Sequence, residues 1–390
     1  MARILWLNWS GGGNLPPSLG IARVLTERCH AVSFAGRPEM IERVERAGFR
    51  AIELKRAYEQ AARYPNKWIP KAASYLTSPA VAEDIRALMQ SHGPDLVIID
   101  AMFPAALIET ASFDGPTIVM CHTCVYRMLE QWRAMLALLI NLRSEAGFGT
   151  WPAQLDDLWM THDRLMVTTL KTLDPPHGGL AHPENVRHVG PVLERECHMQ
   201  GMTLPWRDDD PTPLVLVSFS TMPEQGSVAK FQSAIDALKG LPVHGVVTTG
   251  DSLDPAALKA ADNVVVFANA DHDQLMRRAK LVVTHGGHGT MMRALRYGLP
   301  MVVIPGLASD QPVNAAAIQG WGAGRGLPAD ATADMIRQAV CDVLDTDSYG
   351  TVARKLAGEF DGVDGAVNAA SEVEQLLPRA RTQAIDGAAA

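Results

Sequence analysis

Residues 281–318 read LVVTHGGHGTMMRALRYGLPMVVIPGLASDQPVNAAAI, and this stretch decides the fold. An apolar, strand-like run ends at Thr284, His285 follows, and Gly286, Gly287 and Gly289 form a turn. Helix-forming residues continue from Thr290 to Tyr297, and Gly298 with Pro300 supplies a stop signal. A second apolar run, Met301–Ile304, ends in Pro305-Gly306, and Asp310-Gln311-Pro312 opens a helix reaching Gln319. Alternation of this kind belongs to a parallel sheet with helices on its faces. Glycines ahead of a helix let the backbone approach a ligand. The helix N-terminus adds unpaired N–H groups with partial positive charge, a combination that suits a phosphate or diphosphate. His285 and the Thr290 hydroxyl can add donors.

The same alternation extends outward in both directions. Leu214–Phe219, Val243–Thr248 and Val264–Phe267 precede the quoted stretch as short apolar runs. Nearer the N-terminus, Arg3–Leu7, Ala31–Ala35, Asp95–Ile99 and Thr117–Met120 form an earlier series, interleaved with amphipathic stretches such as Ser18–Arg28 and Pro38–Ala47. Between the two series, residues 194–212 are polar and contain prolines and read as a linker. The expected organisation is α/β: two Rossmann-like, doubly wound domains over residues 1–193 and 213–378, facing a cleft. A disordered tail is expected over 379–390.

Composition narrows the function. Of 390 residues, 35 are Lys or Arg and 43 Asp or Glu, a net charge of −8. That balance argues against a polyanion-binding protein, which needs a basic face, and leaves room for a small anion held by backbone N–H groups. Hydrophobic residues make up 47% and charged residues 20%, as in an ordinary globular chain. Five cysteines, an odd number, suggest no disulfide framework and favour a reducing cytosol. Ile4–Leu7 is too short for a signal-peptide core, and Ala134–Ile140 is far short of the ~20 residues that span a bilayer. A cytoplasmic protein is expected.

Several motifs are set aside. Cys121 and Cys124 spell CxxC, half a zinc site or a redox pair, but no second CxxC exists and the pair follows a strand-like run. Asp208-Asp209-Asp210 contains an Asp-x-Asp, a divalent-metal motif in some sugar-transferring enzymes. It lies between Pro205 and Pro211 and reads better as a solvated turn. Neither the Walker-type phosphate loop nor G-x-G-x-x-G with a downstream acid is present, which disfavours P-loop and dinucleotide chemistry. No metal and no cofactor is expected.

The quoted stretch resembles the signature of the nucleotide-sugar-dependent family 1 glycosyltransferases, which include plant flavonoid and bacterial antibiotic enzymes. Their pattern H-G-G-x-G-T, E-A-L-x-x-G-x-P, D-Q and N-A appears here as His285–Thr290, Arg293-Ala294-Leu295, Gly298, Pro300, Asp310-Gln311 and Asn314-Ala315. The resemblance implies the GT-B fold, with the acceptor bound by the first domain, the nucleotide sugar by the second, and a last helix, Ala366–Leu377, crossing back to the first. It implies diphosphate ligands at His285, Gly287, Gly289 and Thr290, and at Ser220 and Thr221 after the strand Leu214–Phe219. It implies sugar-hydroxyl ligands at Asp310 and Gln311; an N-cap role for Asp310 is compatible with that.

Three departures matter. The family's general base is a histidine in the loop after the first strand, and Asn14 stands in its place here. An amide orients a proton but cannot take one near neutral pH. The family's partner carboxylate is matched by Asp100, which then acts directly or through a water, and His122 offers another route. Second, Asn269 stands where an aromatic residue usually packs on the base, so base recognition shifts to backbone around Ala270. Third, Arg293 replaces the glutamate that commonly holds the ribose, and UDP and dTDP both fit.

On the acceptor side, Trp68, Met102, Phe103, Trp132, Met135 and Trp151 offer apolar surface, and several lie on the helical stretch Val125–Ala146. Each also fits a plain core. The expected function is an inverting transferase moving a sugar from a UDP- or dTDP-sugar to a small apolar acceptor, phenolic or polyketide-like, as an O- or C-glycoside. The expected assembly is a monomer or homodimer, with no nucleic-acid partner. The rival readings are a lipid- or sterol-directed transferase and a non-catalytic activator built on the same fold.

Overall fold

The computed structural model describes residues 1–9, 12–56, 59, 76–145, 147–148, 158–176, 184–193, 203–207, 209–219, 227–306 and 310–377. Ser220, Thr221, Trp68, Trp151, most of the 194–212 linker and the 379–390 tail lie outside the described residues.

Among the described residues two parallel sheets form, one per series. The first contains β1 (Arg3–Asn8), β2 (Ala31–Gly36), β3 (Arg50–Glu53), β4 (Leu96–Asp100), β5 (Thr117–Cys121), β6 (Arg164–Val167) and β7 (Val186–His188), ordered β3-β2-β1-β4-β5-β6-β7. The second contains β8 (Leu214–Ser218), β9 (His244–Thr248), β10 (Val264–Phe267), β11 (Ala279–Thr284), β12 (Met301–Val303) and β13 (Gly324–Gly326), ordered β10-β9-β8-β11-β12-β13. The central strands β4 and β5 are buried along their whole length, as sheets covered on both faces require. Each such buried aliphatic side chain is worth about 1.5–3 kcal/mol. The sequence runs fall on β1, β2, β4, β5 and β8–β12, with ends shifted by a residue or two. Four strands escape them. β3, β7 and β13 are only three or four residues long and carry arginine or glycine, and the apolar part of β6 is three residues, Leu165–Val167.

The helices relevant to the sites are α1 (Leu15–Glu27), α2 (Pro38–Arg46), α3 (Pro79–His92), α4 (Pro104–Thr110), α5 (Val125–Glu145), α6 (Val228–Leu238), α7 (His272–Arg278), α8 (His288–Arg296) and α9 (Asp310–Trp321). They are followed by α10 (Ala333–Asp345), α11 (Asp347–Ala357) and α12 (Gly365–Leu376). Strand order reverses between β1 and β4 in one sheet and between β8 and β11 in the other. At such switch points the adjacent loops part and leave a crevice beyond the carboxyl ends of the strands. Asn14 and Asp100 flank the first crevice, and the His285–Gly289 turn flanks the second.

The last helix does cross back. Ala369, Ala370 and Val373 of α12 share one apolar cluster with Leu15, Leu19, Ala22 and Leu25 of α1. Glu374 closes this contact by accepting from Arg28 at 2.7 Å and pairing with His30 at 3.2 Å. No described helix is long and apolar enough to cross a membrane.

Candidate active site

The glycine turn is built from its backbone outward. Gly286 has φ +86°, a left-handed conformation, and a side chain there would also press on Val303 and the Gln311 carbonyl. Buried Asn314 donates to the Gly286 carbonyl at 2.8 Å and fixes the turn against α9. A Cβ on Gly287 would lie 2.6 Å from Nε2 of His285, so the glycine makes room for that imidazole. A Cβ on Gly289 would meet nothing within 4 Å among the described residues. Gly287 is the N-cap of α8 and has no side chain to cap it, and no side-chain partner for the first N–H groups of the helix is found among the described residues.

Burial, and then Lys230, lower the His285 pKa to about 4, so the ring is neutral at physiological pH. Its Nδ1 is buried without a partner among the described residues. Burial raises Asp310 to about 6 against hydrogen bonds from its own N–H and that of Gln311. The Gln311 side-chain oxygen accepts from the Gly306 N–H at 2.6 Å, which turns its NH2 away from that loop. Asn269 is exposed and Ala270 buried just before α7. Arg293 is buried and bonded to Asp273 of α7 at 2.8 Å, and the same carboxylate oxygen accepts from the Tyr297 hydroxyl at 3.0 Å.

The first crevice is built from side chains. Asn14 stands at the N-cap position of α1, yet its side chain caps nothing. Instead its Nδ2 donates to Oδ2 of Asp100 at 2.6 Å, and Oδ1 of Asp100 accepts from the Met102 N–H at 2.8 Å. Asp100 has no exposed surface, and burial raises its pKa to about 7 against both hydrogen bonds. Nε2 of His122 lies 3.8 Å from the carboxylate, too far for a hydrogen bond, and 3.4 Å from Oγ of Ser18. The Ser18 hydroxyl donates to the Asn14 carbonyl at 2.8 Å. Its oxygen accepts from Asn8 Nδ2 at 3.4 Å, and toward His122 it can likewise only accept, which selects the Nε2–H tautomer of that ring from the network. Burial, and then His288, lower His122 to about 3, so it is a neutral ring. Ser18 was not visible as a site residue in the sequence, because a serine in the first turn of a helix carries no signal of its own.

The two crevices meet. His288, in the variable position of the glycine signature, bonds Thr169 of the first domain at 2.5 Å through its Nε2. It is close enough to depress His122.

The apolar candidates divide. Met102 and Met135 are half-buried beside the first core. Phe103 and Trp132 are corrected to core residues. Phe103 is fully enclosed, and Trp132 stacks on Trp159 with ring centroids 4.7 Å apart, so both back the wall without reaching its surface. The cysteine pair behaves as two strand-end thiols. Both are free and buried, and burial pushes the Cys121 and Cys124 pKa values up, the latter to about 12. The helix end beside them is already filled: buried Asp174 accepts from the Val125 N–H at 2.8 Å, the Tyr126 N–H at 3.2 Å and His188 at 3.1 Å. In the linker, Asp209 pairs with Arg207 and Asp210 with His244, and Asp208 lies outside the described residues.

Two doubly wound parallel-sheet domains with a helix returning from the second to the first define the GT-B fold of glycosyltransferases. Comparison with known proteins agrees. Residues 235–374 match the family of the erythromycin biosynthesis protein CIII-like C-terminal domain. The oleandomycin glycosyltransferase of Streptomyces antibioticus is 26% identical over 97% of this chain and 91% of its own. The demethyllactenocin mycarosyltransferase of Streptomyces fradiae is 24% identical over 97% and 87%. The crystal structure of the kitacinnamycin glycosyltransferase superposes with a TM-score of 0.76 at 23% identity, over 97% of this chain and 99% of that one. The fold and these relatives support a nucleotide-sugar-dependent glycosyltransferase, similar along nearly its whole length to antibiotic-type enzymes of family 1.

Proposed function

We propose that this enzyme transfers a sugar from a UDP- or dTDP-sugar to a small, largely apolar acceptor, phenolic or polyketide-like, forming an O- or C-glycoside with inversion at the anomeric carbon. The observation that supports this most is the Asn14–Asp100 pair beside His122, within electrostatic reach of His288 in the donor turn. With its NH2 committed to Asp100, the Asn14 amide turns its oxygen outward, where it can accept from an acceptor hydroxyl and orient it. Asp100 takes the proton, directly or through one water. A pKa near 7 matches a base working at neutral pH. Such a base suits an acceptor that is already acidic.

The acceptor attacks the anomeric carbon as the bond to the nucleoside diphosphate breaks. Charge developing on the departing diphosphate falls on the open N-terminus of α8, with Thr290 and His285 beside it, and no metal is required. Ser220 and Thr221 are assigned to the same group. Asp310 and Gln311 hold sugar hydroxyls, while Asn269, Ala270 and Arg293 edge the nucleoside. Met102 and Met135 line the acceptor side. The enzyme works in the cytoplasm as a monomer or homodimer.

A panel of UDP- and dTDP-sugars with aromatic and polyketide acceptors, followed by mass spectrometry, tests the reading. A glycoside of inverted configuration with release of the nucleoside diphosphate is expected. Donor binding without transfer to any acceptor would overturn it in favour of an activator role.

A further inference from the structure

Lys230 is the third residue of α6, the helix that follows β8. Its Nζ donates to the carbonyl oxygens of Ile304 at 2.6 Å and Pro305 at 3.0 Å, at the end of β12. It also lies 5.1 Å from the Phe219 ring, at the end of β8. In the sheet β11 lies between β8 and β12, so this side chain reaches across the end of β11, where His285 begins the glycine turn. No carboxylate pairs with it among the described residues. Two carbonyl contacts leave the third ammonium N–H unassigned. A cation drawn into a crevice without a counter-ion is costly until an anion arrives. Beside it, past His285, lies the glycine-capped N-terminus of α8, which no side chain among the described residues caps.

We propose that Lys230 is a direct ligand of the donor diphosphate, supplying the full positive charge that the glycine turn and helix end lack. The proposal rests on the nucleotide-sugar reading above. An ammonium beside helix N–H groups is a recurring solution for phosphate, acting as a point charge where the backbone gives direction. Burial holds Lys230 down to about 8, so its charge is partly lost just above neutral pH until a diphosphate stabilises it.

The test is calorimetric binding of UDP, dTDP, uridine and thymidine to the full-length protein and to the Lys230→Gln and Lys230→Arg variants. Gln retains a donor for the carbonyls and removes the charge. Diphosphate affinity should fall about 10- to 100-fold in Lys230→Gln, with nucleoside affinity changed less than about twofold and Arg restoring most of the loss. In the unmodified protein, diphosphate affinity should weaken as pH rises from about 7 to about 9. Equal losses for diphosphate and nucleoside, or no loss at all, would make Lys230 an anchor of the β12 loop and overturn the proposal. Should Lys230→Gln fail to fold, a flat pH profile in the unmodified protein overturns it equally. If the unmodified protein binds none of the four ligands, the nucleotide-sugar reading falls first and takes this proposal with it.

Discussion

Two helices begin at strand ends facing the same cleft, and their N-termini are treated in opposite ways. The N-terminus of α5 is filled from within by buried Asp174, which accepts from Val125 and Tyr126. The N-terminus of α8 begins at a glycine and receives no side-chain cap among the described residues, none of which lies within 4 Å of a Cβ on Gly289. A helix end satisfied by its own chain is structural, whereas one left open is available to an external anion. The same contrast separates the two crevices. The crevice proposed for the donor is shaped by backbone and glycines, and the one proposed for the acceptor by a buried network of Asn14, Asp100, Ser18 and His122.

The largest expected effect is on the acceptor side. Asp100→Asn should lower transfer about 100- to 10,000-fold while donor binding, measured by calorimetry, stays within about twofold. Unchanged turnover would remove Asp100 from the base role. On the donor side, Gly287→Ala forces a Cβ against His285 and should weaken UDP or dTDP binding by about tenfold or more. Retained affinity would break the view that the backbone shapes this crevice.

Asn14→His places a titrating ring where an amide now touches Asp100, and should raise kcat on alkyl alcohols by about tenfold. Steady-state kinetics on phenols and alkyl alcohols checks this; equal rates for both variants would show that the proton does not limit. The pH dependence has a definite sign. Asp100 is raised to about 7 in the fold, so kcat/KM should climb as pH rises through about 7. Its contribution to stability runs the other way. The folded protein holds this proton more tightly than the unfolded chain, so stability is lost as pH rises from about 4 to about 7. Buried His122 and His288, with lowered pKa values, act with the opposite sign below their unfolded value near 6.5. The difference in Tm between the unmodified protein and Asp100→Asn across pH isolates the carboxylate. The smallest effect is expected from chelators, which should leave turnover unchanged.

Legibility followed the same division. The His285–Thr290 signature, the Asp310-Gln311 pair and Asn314 could be read directly, because a glycine turn and a helix start are local events encoded within a few residues. Asp100 was visible only as the end of an apolar run. Nothing local could reveal that Asn14 leaves its helix uncapped to bond a carboxylate 86 residues away. Nor could it separate Met102 and Met135 from Phe103 and Trp132, since apolar side chains at helical spacing serve a wall and a core alike. The short strands β3, β7 and β13 carry little local signal for a related reason: they extend an existing sheet and need little apolar content of their own.

By itself the sequence determined the α/β class, the two-series organisation and the glycine turn ahead of a helix, all of which rest on hydrophobic period and backbone freedom. The tertiary structure alone decided which polar groups meet. It brought α12 back onto α1, set His288 against Thr169, laid Lys230 across the end of β11, and buried Asp100 deeply enough to move its proton affinity toward neutrality. Those outcomes depend on distance and desolvation, quantities that exist only once remote segments are packed together.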